Sequence, residues 1–262
     1  MRKWTAGLIF CFSIVLFSIS LYFLMGMFQQ DRREQKGYED VLEIYENPEN
    51  ERDTGSGVRE DAEEKSGEPE IDAGLLALHK ENPDCIGWLR IEGTVIDYPV
   101  MYRPAEKHYY LRRDFYGAYA VRGSLFLSEA CDPEKSDNLI IYGHHMNSGT
   151  MFAALEKYKN EDFYREHPTI SYHTLHGNET YQVIAAFATP VYTDCDFAYY
   201  DFVKAGTETE YDAFIAACKE KSFYETGETA VYGDKLLTLS TCEYSQPNGR
   251  MVVVAKRMED GR

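Results

Sequence analysis

The sequence predicts a mainly β domain of eight strands, forming a closed barrel or a sandwich, behind an N-terminal membrane anchor and an acidic tether. Three observations lead to this prediction. Short runs rich in β-branched and aromatic residues recur through the C-terminal part of the chain. A long uncharged apolar stretch lies near the N-terminus, and the segment that follows it is strongly acidic.

Eight runs have the β pattern and are separated by turn residues. They cover residues 86–91, 95–101, 124–127, 139–142, 169–174, 180–188, 235–242 and 250–256. Helices are expected at 72–81, 150–158 and 208–221. Asp72 is a suitable N-cap for the first helix, and the last helix has apolar residues at 211, 214, 215 and 218, which is an amphipathic spacing.

The apolar stretch runs from Trp4 to Gln30 and contains 27 residues without a charge. A hydrocarbon core of roughly 30 Å needs about 20 helical residues, so this stretch can span a membrane. A cleaved signal peptide would be shorter and would end in a small-x-small site, and no Ala-x-Ala follows here. We therefore expect a single-pass anchor at 4–30 behind a cytoplasmic tail at 1–3, although the flanking Lys and Arg residues do not choose an orientation.

Charge is distributed unevenly along the chain. The total is −17, of which residues 1–36 carry +3, residues 37–72 carry −11 and the remainder −9. Residues 31–72 are predicted to be an extracellular tether, with a short helical continuation around 41–45 left open. The domain is expected at 73–262, and a fragment that begins near Asp72 should fold and work alone. The net charge of −17 argues against a protein that binds nucleic acid through the phosphate groups.

The chain has six cysteines, five of them outside the anchor, so at least one of these five stays unpaired within the chain. No two cysteines have the Cys-x-x-Cys spacing. The His173-x-x-His176 pair lacks a matching Cys or carboxylate pair. We therefore expect no structural metal and no cofactor.

Two segments bring together residue types that suit nucleophilic catalysis. A buried strand runs into Gly143 and is followed by His144, while the strand 238–242 ends in Cys242. Arg250 opens the next strand after an Asn-Gly turn. If these last two strands are antiparallel neighbours, a thiol and a guanidinium share one end of the sheet. A thiol nucleophile needs a proton partner, and the oxyanion that it forms needs a donor or a positive charge.

Each of these residues also has a purely structural interpretation. A cysteine at a strand end is commonly a small buried hydrophobe, a histidine next to glycine often lies in a turn, and an arginine that opens a strand is usually solvated. Spacing alone does not decide between the two interpretations.

The motifs resemble those of a known family. Thr-Leu-Ser-Thr-Cys at 238–242, eight positions before Arg250 and followed by Val-Val-Val-Ala-Lys at 252–256, resembles the active-site strand pair of sortases, and 138–146 resembles their histidine segment. The stretches 82–91, 97–100 and 109–111 and the helix near 208–221 resemble class B sortases in particular. The resemblance covers about 75–258. One departure is Lys107, where class B enzymes often have Asn.

This resemblance implies a sortase-type closed eight-stranded barrel with an N-terminal helix and a helix in the long connection before the cysteine strand. It also implies a cysteine transpeptidase on the outer face of a Gram-positive cell. Cys242 would be the nucleophile, His144 the acid and base, and Arg250 the group that stabilises the oxyanion or holds the peptide. His144 is chosen over His145, which would point to the opposite side of an extended chain.

Ser240, Leu111 and Glu243 are candidates for lining the peptide groove. The expected partners are surface proteins with a Pro- and Thr-containing C-terminal sorting signal, and an amine of a cell-wall precursor or a pilin. Two rival hypotheses remain open from the sequence: a secreted cysteine hydrolase that uses water as acceptor, and a non-enzymatic surface domain with an inert Cys242.

Overall fold

A computed structural model describes residues 2–48, 71–191, 197–245 and 247–258, with side chains from residue 12 onward. All eight predicted strands are present. They are β1 (Cys85–Arg90), β2 (Asp97–Met101), β3 (Leu125–Leu127), β4 (Asn138–Tyr142), β5 (Thr169–Thr174), β6 (Gly177–Pro190), β7 (Leu236–Glu243) and β8 (Gly249–Arg257). The largest difference from the sequence pattern is the greater length of β6.

The strands close into a barrel in the order β1-β2-β3-β4-β7-β8-β6-β5, which decides between the barrel and the sandwich. Two neighbouring pairs, β2 with β3 and β4 with β7, are parallel, and the other pairs are antiparallel. Because β4 and β7 run in the same direction, their C-terminal ends lie at the same end of the barrel. This places the histidine segment beside the cysteine.

Alternation along β7 separates two apolar clusters. Leu237 and Leu239 face the cluster that fills the barrel, together with Val253 of β8. Leu236 faces a second cluster on the outer surface, where α4 (Glu208–Lys221) packs. Successive side chains of a strand point to opposite faces, so the parity of a residue in β7 determines whether it faces the core or the outer surface.

Three α-helices and three 3₁₀ helices accompany the barrel in the described part of the domain. They are α2 (Ala73–Glu81), α3 (Glu161–Glu166) and α4, with 3₁₀ helices at Tyr109–Arg112, Phe152–Lys159 and Tyr199–Asp201. The helix predicted at 150–158 is therefore a 3₁₀ helix that begins two residues later. Its buried residues Phe152, Leu155 and Tyr158 recur every three positions, which places them on one face of a 3₁₀ helix.

The N-terminal helix α1 (Arg2–Glu46) extends well beyond the predicted anchor. Tyr38, Val41 and Tyr45 lie on one helical face and pack on the domain. Val41 is 1% exposed, and the Tyr45 ring stacks on Trp88 at 3.8 Å with an interplanar angle of 4°. The prediction that 31–72 is a solvated tether is thus wrong for residues 31–46. Residues 49–70 of the predicted tether lie outside the described residues.

The end of α1 is fixed to the start of α2. The Tyr45 hydroxyl donates to Asp72 Oδ2 at 2.9 Å, and the other oxygen of Asp72 accepts from Leu75 N at 3.0 Å as the N-cap of α2. At Gly74 a Cβ atom would lie 2.0 Å from the Tyr45 carbonyl oxygen, so the two helices approach this closely only because a glycine is present. These contacts make residues 31–46 part of the folded domain.

Candidate active site

Cys242 and Arg250 face each other across the antiparallel pair of β7 and β8. Directly opposite residues in such a pair share one face of the sheet, with Cα atoms about 4.5–5.5 Å apart. Asn248, at a φ of 53°, directly precedes Gly249, the first residue of β8, and asparagine tolerates that left-handed backbone well. The predicted juxtaposition of thiol and guanidinium is therefore present in the structure.

The histidine segment reaches the same place from β4. Tyr142 pairs in register with Ser240, and the Gly143 amide donates to the Ser240 carbonyl at 3.2 Å. A Cβ atom at position 143 would lie 2.4 Å from Leu125 and 2.7 Å from Phe152, so only glycine fits where the strand leaves the core. His144 follows directly and lies next to the end of the cysteine strand.

Cys242, His144 and Arg250 line one open groove of about 1130 Å³. Two of the other predicted groove residues, Ser240 and Leu111, line it as well. The remaining wall is rich in polar and aromatic side chains, including Lys107, His108, Glu129, Tyr142, Tyr199, Tyr200 and Asp201. A groove of this size and polarity suits an extended peptide that contacts several side chains.

The backbone of Leu111 fixes the orientation of His144. Nε2 of His144 lies 2.8 Å from the Leu111 carbonyl oxygen, which can only accept, so Nε2 carries the proton. Nδ1 is then the unprotonated nitrogen of the neutral ring. Burial lowers the pKa of His144 below its usual value, and the positive charge of Arg112 lowers it further, against the opposing effect of the Leu111 hydrogen bond.

Cys242 differs from the other cysteines whose side chains are described. Cys85, Cys131 and Cys218 are free but buried, whereas Cys242 is free and half-buried. Burial raises the pKa of the Cys85 thiol to about 12 and that of Cys131 to about 11, so these thiols stay protonated and unreactive. Cys11 and Cys195 lie outside the described side chains.

Ser240 is buried rather than presented openly to the groove. Its hydroxyl lies 2.6 Å from the hydroxyl of Tyr199. Tyr199 is the first residue of the 3₁₀ helix that precedes α4. Burial raises the pKa of Tyr199 to about 12, so the phenol remains protonated. This hydrogen bond ties the long connection between β6 and β7 to the cysteine strand, and sequence spacing gave no signal for it.

Glu243 does not belong to the groove, contrary to the prediction. Its carboxylate is buried and accepts from Lys159 Nζ at 2.7 Å and from Ser245 N and Oγ at 3.0 and 2.8 Å. Burial alone would raise the pKa of Glu243, but these hydrogen bonds hold it below its usual value. The reason is parity: residue 243 follows Cys242 and therefore points to the opposite face of β7.

His145 occupies a supporting position that the sequence did not reveal. Its Nδ1 lies 3.2 Å from the carbonyl oxygen of Cys242, so this nitrogen donates to the backbone at the nucleophile. The ring also packs edge-on against Tyr244 at 5.2 Å. Lys159 and His145 thus hold the two sides of the β7 end, and neither residue lines the groove.

Among the described residues no group of three His, Cys, Asp or Glu side chains could hold a metal ion.

Comparison with known proteins agrees with this geometry. The sortase domain family matches residues 89–258. Sortase B of Listeria monocytogenes is 34% identical over 226 residues, which cover 84% of this chain and 89% of the relative. The chain is a class B sortase. Sortase B of Staphylococcus aureus is also 34% identical, over 183 residues that cover 69% of this chain and 72% of the relative.

Solved class B sortases share this fold over most of the chain. A Staphylococcus aureus sortase B–substrate complex superposes with a TM-score of 0.73 at 28% identity, covering 89% of this chain and all of that one. Sortase B from Bacillus anthracis gives 0.69 at 30% identity, covering 88% and 99%. As a sortase, this protein is a cysteine transpeptidase that acts on sorting signals and amine acceptors at the cell surface. The hydrolase and surface-domain hypotheses are set aside.

Proposed function

We propose that this sortase cleaves a Pro- and Thr-containing C-terminal sorting signal and transfers the acyl group to a cell-wall or pilin amine, with Cys242, His144 and Arg250 as its catalytic residues. One observation carries the proposal: these three side chains, from three neighbouring strand ends, line a single groove. Cys242 is also the only half-buried thiol among the described cysteines.

The first half of the reaction forms a thioacyl-enzyme. The Cys242 sulfur attacks the carbonyl carbon of the Thr residue, and the carbonyl oxygen becomes an oxyanion that Arg250 stabilises. As the sulfur attacks, the Cys242 thiol proton passes to His144, which then gives it to the leaving amine as the peptide bond breaks. The hydrogen bond from Nε2 to Leu111 keeps that nitrogen occupied, so Nδ1 is the atom that exchanges the proton.

The second half reverses these roles. His144 removes a proton from the incoming amine, whose nitrogen attacks the thioester carbon. The oxyanion again lies near Arg250, and its collapse expels the Cys242 thiolate and leaves a new amide bond; the thiolate then takes the proton back from His144. No cofactor or metal is needed for either half, since protein groups supply the nucleophile, the acid and base and the positive charge.

The apolar part of α1 supports anchoring at the membrane with the domain outside the cell. By length and composition, one helix in the described part of the chain could cross a bilayer. Its large apolar side chains, such as Phe17, Phe23 and Met27, are 65–70% exposed and belong to none of the apolar core clusters. Such surface is unfavourable in water and suits lipid.

Class B sortases often have Asn at the position of Lys107. The lysine supports a substrate preference that differs from that of sortases with Asn at this position. It lines the groove wall near Leu111, close to where we expect the first residue of the motif. An ammonium group favours a polar or acidic residue on the peptide. The signal is proposed to be of the Asn-Pro-x-Thr or Ser/Asn-Pro-x-Thr-Gly type, with an acidic residue as its preferred neighbour.

The decisive experiment follows the acyl group by mass spectrometry. A fragment of residues 31–262 is incubated with peptides that vary at the first and last motif positions, with and without an added amine. We expect a thioester on Cys242 without the amine and a new amide with it. Cys242→Ala should form neither, while Cys131→Ala should form both. Acylation by Leu-Pro-x-Thr-Gly peptides alone would refute the proposed signal, and free acid as the main product in excess amine would refute transfer.

The role of Lys107 is tested by exchange. Lys107→Asn should remove the preference for an acidic neighbour and leave kcat for a neutral peptide unchanged. Lys135→Asn, which changes a similarly charged residue outside the groove, is the matched control. An unchanged acidic preference in Lys107→Asn would show that this residue does not read the peptide.

A further inference from the structure

The loop between the first 3₁₀ helix and β3, residues 113–123, exposes an unusual amount of aromatic surface. Tyr119 is 67% exposed, Tyr116 is 49% exposed and Val121 is 38% exposed. The loop is not loosely held, because Phe115 and Ala120 are buried beneath it. An ordered loop that displays two tyrosines and a valine is typical of a surface that meets a partner.

This loop is attached directly to α1. The Glu34 carboxylate accepts from Val121 N at 2.8 Å and from Arg122 N and Nε at 3.2 and 3.3 Å. The Arg122 guanidinium also donates to Asp31 at 3.0 Å and to Gln35 at 3.2 Å. Arg122 and Glu34 are 11% and 7% exposed at their side chains, so this ion pair is shielded from solvent.

The contacts of α1 follow a fixed order along the helix. Asp31 and Glu34, the residues nearest to the apolar stretch, accept hydrogen bonds from the loop. Farther along the helix, the Tyr38 hydroxyl donates to the Asp97 carbonyl. Tyr45, near the end of the helix, stacks on Trp88. Of these contacts, the loop is the one nearest to the anchor. Among the parts of the domain joined to α1 by these contacts, it is therefore the one closest to the end of the apolar helix.

The helical rise sets the height of the loop above the lipid. Asp31 is three residues and Glu34 six residues beyond Phe28, which correspond to about 4.5 and 9 Å at 1.5 Å per residue. The headgroup layer adds about 5–8 Å on each side of a 30 Å hydrocarbon core. With α1 along the bilayer normal and Phe28 at the edge of the hydrocarbon core, Val121, bonded to Glu34, would lie at the outer edge of that layer. Tyr119, two residues away, is within about 7 Å of it.

The chemistry of the loop fits this position. Tyrosine is enriched at membrane interfaces because its ring is apolar and its hydroxyl is polar. Arg113 is exposed and lies in the same loop, and Arg32 and Arg33 follow the apolar stretch of α1. These guanidinium groups can bind lipid phosphates.

We propose that residues 113–121 form a second membrane contact, in which Tyr116 and Tyr119 enter the headgroup layer of the bilayer that α1 spans. This inference rests on the proposed anchoring. The barrel, already packed on α1, would then be held at the lipid surface by a second attachment. Leu111, two residues before the loop, accepts a hydrogen bond from His144 and lines the groove, so the groove would open just above the headgroups.

Fluorescence of the full chain in vesicles tests the contact. Trp4→Phe removes the indole in the anchor, and the buried Trp88 supplies a constant background. In this background, Tyr119→Trp is compared with Tyr232→Trp, whose parent residue is 48% exposed. Tyr232 precedes β7, whose eight residues separate it by about 26 Å from the barrel end that carries Cys242.

The vesicles contain equal parts of phosphatidylglycerol and phosphatidylcholine, with or without a headgroup nitroxide quencher. Flotation of the protein with the vesicles reports anchoring independently. We expect the protein to float, the Tyr119→Trp indole to lose fluorescence with the quencher, and the Tyr232→Trp indole to keep it. If the protein floats but Trp at 119 is not quenched, or both positions are quenched equally, the loop contact is refuted and anchoring stands. If the protein does not float, both proposals are refuted.

Discussion

Replacing Tyr45 by alanine should destabilise the domain strongly, although this residue lies in what the sequence presents as a tether. The Tyr45 side chain is 8% exposed, its ring is parallel to Trp88 at 3.8 Å, and its hydroxyl donates to Asp72. Truncating a buried aromatic side chain to alanine costs about 3–5 kcal/mol. Most of that cost comes from the stacked ring, because the hydrogen bond alone is worth about 1–2 kcal/mol.

Urea unfolding of the 31–262 fragment measures this directly. We expect Tyr45→Ala to lose about 3–5 kcal/mol of unfolding free energy, and to lower Tm by on the order of 10 °C for a domain of this size. Tyr45→Phe keeps the ring and should lose only about 1–2 kcal/mol. Glu43→Ala, at an exposed position of the same helix, is the control and should change stability by less than about 0.5 kcal/mol.

The comparison among these variants can refute the reasoning. If Tyr45→Ala is as stable as Glu43→Ala, α1 does not dock on the domain and the fragment that begins near Asp72 suffices. If Tyr45→Phe loses as much as Tyr45→Ala, the hydrogen bond to Asp72 and not the stacking on Trp88 holds the helix. Docking predicts that the fragment from Asp72 is less stable than the fragment from residue 31 by at least the Tyr45→Ala difference.

Further outcomes are expected at the active site and at the helix contact. Arg250→Lys should lower kcat/KM for acylation by on the order of 100-fold, because one ammonium does not reproduce a planar multi-donor group. Near-normal turnover would show that Arg250 acts only through its positive charge and not through directed hydrogen bonds. The His144 ring should titrate by NMR below its ordinary value of about 6.5, and Arg112→Ala should raise that midpoint. Because the unfolded ring takes up its proton at a higher pH than the folded ring, stability should fall as pH drops from about 6.5 to the lower midpoint of the folded protein, and level off below it. Gly74→Ala should cost about 1–3 kcal/mol, since its Cβ would collide with the Tyr45 carbonyl; an unchanged Tm would contradict the close approach of the two helices.

Local pattern was sufficient for the strands, and it placed Cys242 and Arg250 at one end of the sheet on the condition that their strands are antiparallel neighbours. The structure supplied the pairing and its register, in which Glu243 lies opposite Gly249 and Cys242 opposite Arg250. The choice of barrel over sandwich was beyond such patterns, because closure depends on pairing between β1 and β5, whose partners lie more than 80 residues apart.

Glu243 lies on the face of β7 that the two-residue period of a strand predicts for it. The two-residue period that places Ser240 with Cys242 also places residue 243 on the opposite face, where Lys159 meets it. The Ser240–Tyr199 and His144–Leu111 hydrogen bonds differ in kind. They join segments 41 and 33 residues apart through loops, and no periodicity links such positions.

The sequence by itself determined the residue types of the active site, the strands that carry them and an apolar segment long enough to span a membrane. These properties depend on local composition and on short-range alternation. Only the tertiary structure decided that α1 continues to Glu46 and packs on the barrel. Tyr38, Val41 and Tyr45 are few apolar residues in an acidic segment, and their burial depends on a surface formed by Trp88 and α2. Isolated helices gain little from such a stripe, so its stability comes from that distant surface and not from its own sequence.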